Sequence, residues 1–234
     1  MRKKVVVLTG AGISAESGIS TFRDHDGLWE NYRIEDVATY DAWKRNPALV
    51  LDFYNQRRKQ LSGVIPNAAH LALVDLEQLY DVQIVTQNVD DLHERAGSSN
   101  ILHLHGELTK VRSTIHPEKI TDIGYKEIRM GDLCEQGSQL RPHIVWFGEA
   151  VPLIEDAAAL TSEADILLII GTSMVVYPAA GLLHYAPKHC RIFLIDPGEF
   201  SVPGFRNLTF LQKKAGIGVP EIVNQLLSEA SNNN

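Results

Sequence analysis

The sequence predicts an α/β fold: a Rossmann-like parallel sheet with helices on both faces, plus a small inserted module. Three observations predict it. Short apolar runs recur at Val5–Thr9, Val82–Thr86, Ile166–Ile170 and Arg191–Ile195. Strands buried on both faces read as such runs rather than as alternating patterns. Helix-like stretches at Asn67–Gln78, Pro178–Tyr185 and Val219–Ser228 separate and follow them, and strand–helix alternation builds parallel sheets. Finally, the first run feeds directly into Gly10-Ala11-Gly12-Ile13-Ser14-Ala15-Glu16. Small residues at a strand end let backbone approach a ligand, and the helix expected behind them would aim N–H groups at an anion.

In chain order, Gly10, Gly12 and Ala15 fit the G-x-G-x-x-G/A spacing of a dinucleotide pyrophosphate site. About 20 residues further on, a dehydrogenase of this kind closes a second strand with a ribose-binding acid. Here the chain reads Asp26-Gly27-Leu28-Trp29-Glu30-Asn31, a polar and aromatic loop. A nucleotide site is therefore expected, but not a hydride-transfer one. Thr21-Phe22-Arg23-Asp24 opens the same loop. Arg23 either clamps a phosphate bidentately or pairs with Asp24 or Asp26 at the surface, and the loop suits a lid.

Ile34–Leu61 reads as helical, with Ala42, Trp43 and Leu49–Phe53 supplying its apolar face. Tyr54 and Arg57 stand three apart within it and share a face. On spacing alone that face reads as solvated. Thr86-Gln87-Asn88-Val89-Asp90-Asp91 follows the second apolar run. Polar groups at the carboxyl end of a parallel strand meet ligands, yet Asp90 or Asp91 could simply cap a helix. His103 and His105 are two apart, which in a strand puts both on one face. They suit a general base, a metal pair or a half-exposed strand. Thr109–Gln139 is polar and weakly periodic, an excursion from the sheet. Arg141–Glu149 is extended, either a core strand ending at Gly148 or an edge that pairs with an extended peptide. Gly171-Thr172-Ser173 closes the third apolar run with the same strand-end chemistry as the first.

The whole chain has 234 residues, 44% hydrophobic and 22% charged, with a net charge of -7 and a pI of about 5.7. The acidic balance argues against nonspecific nucleic-acid binding. Cys134 and Cys190 are the two cysteines and suggest no disulfide framework. The start, Met1-Arg2-Lys3-Lys4, does not lead into a secretory leader, and no run is long enough to span a membrane. A cytoplasmic monomer is expected. The larger domain is placed at about 1–33, 62–108 and 140–234, and the small module at about 34–61 and 109–139.

Taken in order, Gly10–Ser14, Thr21-Phe22-Arg23, Thr86–Asp90, His105-Gly106, Trp146-Phe147-Gly148-Glu149 and Gly171-Thr172-Ser173 resemble the sirtuins, NAD-dependent protein deacylases. The resemblance runs from about Val5 to the C-terminal helix. It implies that NAD and an acyl-lysine protein or peptide meet in a cleft, giving nicotinamide and O-acyl-ADP-ribose. By motif match, His105 is the base toward a ribose hydroxyl, and Asn88 acts beside it. Gly10, Ala11, Gly12, Ser14, Ala15 and Glu16 match the phosphate loop, and Thr21, Phe22, Arg23 and Trp29 the lid. Gln87, Asn88, Asp90, Gly171, Thr172 and Ser173 match further NAD contacts. Asp196 and Ala215 fall near the adenosine half. Val145, Phe147, Gly148 and Val175 match the acyl-lysine tunnel and peptide flank.

Two features refine the resemblance. Many sirtuins hold structural zinc with four cysteines, a thiolate set that Arg112–Arg141 lacks, since it keeps only Cys134. No metal is expected. Tyr54 and Arg57 match the Tyr-x-x-Arg pair of sirtuins that remove acidic acyl groups, which implies a desuccinylase and demalonylase that retains deacetylase activity. The alternatives are a mono-ADP-ribosyltransferase and a non-catalytic sensor of NAD or ADP-ribose.

Overall fold

The structure, a computed structural model, describes residues 2–20, 28–29, 32–172, 179–199 and 207–232, with the side chains at 28–29 outside the description. β1 (Lys4–Thr9) runs into two three-residue 3-10 turns, Ala11–Ile13 and Ala15–Ser17. The helix expected after the glycine turn does not form. Gly18 ends the second turn at φ +97°, a left-handed conformation that favours glycine. Then come β2 (Leu28–Trp29), β3 (Tyr32–Arg33), α1 (Ile34–Val37), α2 (Tyr40–Arg45), α3 (Pro47–Ser62) and α4 (Ala68–Leu76).

The helical stretch expected over Ile34–Leu61 is thus three helices. Thr39 restarts the chain by accepting from Ala42 N at 3.0 Å. Asn46 does the same from Leu49 N at 3.1 Å, with Pro47 in the first turn of α3. Asn67 caps α4 by accepting from Ala69 N, and His70 reaches back to the Asn67 N–H.

The rest of the chain adds β4 (Asp81–Thr86), α5 (Leu92–Ala96), β5 (Ile101–His103), β6 (Gly106–Ser113), β7 (Ile120–Asp122) and β8 (Leu140–Ile144). It closes with α6 (Ile154–Ser162), β9 (Ile166–Ile170), β10 (Arg191–Ile195), β11 (Leu208–Leu211) and α7 (Ala215–Asn232). Pro178–Tyr185, expected as a helix, is a 3-10 helix over Ala179–Tyr185. Strands β5 and β11 carry no apolar run as clear as the four that predicted the sheet.

Six parallel strands lie in the order β11-β10-β9-β1-β4-β5. The chain moves outward from β1 through β4 to β5, then returns to β9 on the other side. That reversal makes a crevice at the carboxyl ends of β1 and β9, where Thr9 pairs with Ile170. Alternate residues pack opposite faces. Val5, Val7, Ile84, Leu168 and Ile170 meet Leu73, Leu76, Val219 and Ile222 of α4 and α7. Val6, Leu8, Val85, Leu167 and Ile169 meet Ala157 of α6 and Leu182–Leu183.

A second sheet, β7-β6-β8, is antiparallel. Its strands reach back to Gly106 and forward to Ile144, beyond 109–139 on both sides. Helix α3 packs on it, so that Phe53, Tyr54 and Leu61 share a buried cluster with Leu108, Val111, Ile144 and Trp146. Among the described residues, no helix is long and apolar enough to cross a membrane.

Candidate active site

Glycine is required at the crevice because two backbones cross there. Gly10 N donates to Ile170 O at 3.0 Å and Gly12 N to Gly171 O at 2.8 Å. A Cβ on Gly12 would sit 2.6 Å from Gly171 Cα, and one on Gly171, at φ +59°, only 2.4 Å from Ile13 N. The strand-end polar residues converge on this crossing. Ser14 Oγ donates to Asp90 Oδ2 at 3.0 Å. Asn88 Nδ2 donates to Gly10 O at 3.1 Å and to Ser14 Oγ at 3.2 Å. Gln87 Nε2 reaches Thr172 Oγ1 at 3.2 Å. Burial pushes the Asp90 carboxyl up, and the opposing bonds from Leu92 N–H and Ser14 only partly offset it.

Capping, the simpler reading of Asp90 and Asp91, is partly realised. Asp90 Oδ1 accepts from Leu92 N at 3.2 Å. Asp91 stands at the N-cap but its side chain caps nothing, and it accepts instead from the Tyr125 hydroxyl. Ala11 is half-buried and Ala15 exposed on the two turns. Glu16 bonds the start of α7, accepting from Gly216 N at 2.7 Å. Ala215, beside it, is buried in the core under the sheet. Asp196 is buried at the end of β10 and accepts from Gly198 N at 2.8 Å.

The two histidines do not share a strand, because β5 ends at His103 and the chain turns before β6. They converge on adjacent carbonyls instead. His105 Nδ1 lies 3.0 Å from Gln87 O, and His103 Nδ1 lies 3.2 Å from Asn88 O. A carbonyl only accepts, so Nδ1 of His105 carries the proton and Nε2 keeps its lone pair when the ring is neutral. Burial lowers the His105 pKa more than the Gln87 bond raises it. The ring is therefore an uncharged acceptor near neutrality. His93, deeper still, bonds Thr9 Oγ1 at 3.2 Å and packs edge-on to His70 at 4.9 Å.

From His105 the chain leads to a second cluster. Val145 N donates to His105 O at 2.9 Å, which continues the β6–β8 ladder. Val145 is half-buried, Trp146 buried, and Phe147 and Gly148 exposed. Trp146 Nε1 donates to the Tyr54 hydroxyl at 3.0 Å. Tyr54 is fully buried and Arg57 is 6% exposed, so this face of α3 is not the solvated surface its spacing suggested. Burial is the main force pushing the Tyr54 phenol up. Phe53, Gln56, Arg57 and Gln60 line a cavity of about 260 Å³.

The residues that hold Trp146 were not singled out by spacing. The Arg141 guanidinium lies 3.4 Å from the indole ring centre and forks onto Glu149 at 2.8 and 3.0 Å. Glu149 also accepts from Trp146 N at 2.9 Å. Opposite charges bracketing an apolar run were the one available sequence signal.

Thr21, Phe22, Arg23, Ser173 and Val175 lie outside the described residues, as does the Trp29 side chain. Where sirtuin zinc cysteines fall, Ser113 Oγ and Ser138 Oγ lie 2.6 Å apart and Cys134 Sγ lies 3.0 Å from Ser138 Oγ. One thiol with two mutually bonded hydroxyls does not fit tetrahedral zinc. Glu94, His103 and Glu107 bring donor atoms within 4.8 Å of one another. His103 is spent on Glu94 at 2.7 Å and Glu107 on Lys110 at 2.7 Å, so the group is an ion-pair network.

A Sir2 family model matches residues 10–178. The chain is 55% identical over 230 residues to the NAD-dependent protein deacylase of Bacteroides thetaiotaomicron, covering 96% of this chain and 98% of that one. It is 54% identical over 232 residues to the NAD-dependent protein deacylase of Helicobacter pylori, covering 98% and 100%. A Sir2 homologue solved with ADP-ribose superimposes with a TM-score of 0.88 at 40% identity, covering 98% of this chain and 94% of that one. A Sir2 homologue–NAD complex gives 0.87 at 39% identity, covering 98% and 91%.

Proposed function

The chain belongs to the Sir2 family, and on that premise we propose an NAD-dependent protein-lysine deacylase that prefers acidic acyl groups, succinyl and malonyl, over acetyl. The relatives named NAD-dependent protein deacylase support the enzyme and its co-substrate over nearly the whole chain. The acidic preference rests on one observation: a buried phenol and a buried guanidinium one helical turn apart on α3. An acyl carboxylate entering an apolar tunnel must be paired, and a fork-shaped guanidinium with a phenol beside it does this.

The crossing at Gly10, Gly12 and Gly171, with Ser14 and Thr172, holds the dinucleotide phosphates close to backbone. Bound NAD supplies a ribose whose bond to nicotinamide is broken and which then takes up the acyl group. Asn88 and Asp90 orient the nicotinamide riboside half from their fixed positions over Gly10 and Ser14. His105, with Nδ1–H tied to Gln87 O, uses Nε2 to take a proton from the ribose hydroxyl. Val145, Phe147 and Gly148 flank the acyl-lysine, and Tyr54 and Arg57 read the far end of its acyl group.

One peptide carrying acetyl, succinyl or malonyl on the same lysine, assayed with and without NAD by mass spectrometry, tests this. The expected result is peptide-dependent nicotinamide release, fastest for the acidic groups. Nicotinamide release without peptide, with ADP-ribose on protein, would indicate a transferase. Tight NAD binding without turnover would indicate a sensor, a role that needs no neutral histidine at the sugar.

A further inference from the structure

We infer that His103 is a positioning residue for the NAD site: with Glu94 it forms a part-buried ion pair whose imidazolium clamps the Asn88 carbonyl. The inference rests on the reading that Asn88 and Asp90 hold the nicotinamide riboside half.

The geometry fixes the charge. Both ring nitrogens of His103 face acceptors, Asn88 O at 3.2 Å and Glu94 Oε1 at 2.7 Å. A carbonyl cannot donate, and a carboxylate cannot while ionised, so each nitrogen must bring its own proton. The side chain is 8% exposed, and the partner carboxylate 40%. Burial pulls the imidazole pKa down, but the Glu94 bond and charge, with Glu107, more than reverse this. The titratable groups around the ring are Glu94 and His93 on α5, the latter held neutral by burial, Asp90 on the preceding loop, and Glu107 on β6. Lys110 on β6 is engaged by Glu107. His105, with one acceptor at Gln87, stays neutral. Two histidines on adjacent carbonyls thus hold different protonation states: one ring is a neutral base and the other is a fixed cation.

That cation completes a three-point fixation. Asn88 N donates to Thr86 Oγ1 at 3.0 Å, and its side chain bonds Gly10 O and Ser14 Oγ. His103 holds the third group, the carbonyl. Its charge also favours the carboxylate form of Asp90 against the cost of burial. Without it, the 88–90 segment keeps its side-chain bonds and the bond from Leu108 N to Val89 O, but the Asn88 carbonyl loses its anchor.

The test uses the full chain with imidazole nitrogen NMR, NAD calorimetry and kinetics. The His103 midpoint should lie above the ordinary histidine value, with both nitrogens protonated below it, and His105 should be neutral at pH 7.5. Glu94→Gln should lower the His103 titration midpoint, and Glu94→Asp should restore it. His103→Gln and Glu94→Gln should each weaken NAD binding about tenfold, the scale of one charged hydrogen bond, with the peptide KM and the thermal midpoint little changed. A His103 midpoint at or below the ordinary histidine value overturns the inference, as does NAD affinity unaltered in both variants. Absent turnover in the wild type would instead defeat the deacylase reading, which the NMR and calorimetry do not depend on. Glu94→Gln, altered at a part-exposed residue, keeps the test intact if His103→Gln fails to fold.

Discussion

The indole N–H of Trp146 donates to the phenol oxygen of Tyr54 across 3.0 Å. It joins the segment just past β8, next to His105's backbone partner Val145, to the helix that carries Arg57. The bond occupies one lone pair of the phenol and turns its O–H away from the indole, which on the proposed reading sets how Tyr54 meets an acyl carboxylate. Trp146→Phe keeps an aromatic ring, deletes the donor and shortens the ring system against which Arg141 lies. It should lower kcat/KM for a succinyl peptide relative to an acetyl peptide by roughly fivefold, the worth of about 1 kcal/mol of hydrogen bonding. An unchanged ratio in paired assays would show that the indole does not orient the phenol.

Gly12 should tolerate no side chain. The three atoms nearest its added Cβ would all be Gly171 backbone, at 2.6 to 3.0 Å, and neither loop can give way without opening the crevice. Gly12→Ala should cost about 1–3 kcal/mol in a denaturant titration, the usual scale of overpacking, and should lose NAD binding by calorimetry. Gly63 serves as the control, because its nearest contact would be Gln60 O at 3.5 Å. Gly63→Ala should leave both measurements unchanged.

The opening apolar runs located four of the six parallel strands because strands buried on both faces need no register to be seen. The glycine turn located the crevice for a similar reason: close backbone approach demands small residues wherever it occurs. What the sequence concealed depends on contacts between distant segments. Tyr54 and Arg57 read as a solvated face until β6 and β8 close over α3. Glu16 matched the phosphate loop, yet it bonds Gly216, 200 residues away in sequence. The helix expected after Gly12 is replaced by 3-10 turns: Gly12 N is taken by Gly171 O, and the loop's own bonds close over three residues, as from Ile13 N to Gly10 O and from Ser14 N to Ala11 O. The His103–His105 pair looked like one strand face, but a turn intervenes, and Glu94, bonded to His103 and not to His105, distinguishes the two rings.

Stability should fall as the solution is acidified below neutrality, before the carboxylates titrate. Burial pushes His70 down to about 4, and His93 lies in the same direction. A histidine whose folded pKa lies below its unfolded value of about 6.5 stabilises the fold fully above 6.5. That contribution is lost as the pH falls from 6.5 toward 4, because the unfolded chain binds the proton first. For His70 it is on the order of 3 kcal/mol. Urea denaturation at pH 7, 5.5 and 4.5 should show the decline, and His70→Gln should flatten it. A slope that the substitution leaves untouched would place the titrating group elsewhere.

Chelation should leave the small sheet intact. Ser113, Cys134 and Ser138 bond one another where a thiolate set would be needed, so packing of α3 on β6 and β8 carries the module. Thermal midpoints with and without EDTA should coincide, and elemental analysis should find zinc well below one per chain. Stoichiometric zinc, or a chelator-dependent midpoint, would contradict this.

The central claim is that Arg57 pairs an acidic acyl group at the end of the tunnel. The most direct measurement is the ratio of kcat/KM for succinyl and acetyl forms of one peptide, in the wild type and in Arg57→Met. The account predicts a wild-type ratio above one that falls by about 2–5 kcal/mol, the cost of leaving one buried charge unpaired, while deacetylation persists. Equal ratios in the two proteins would contradict it.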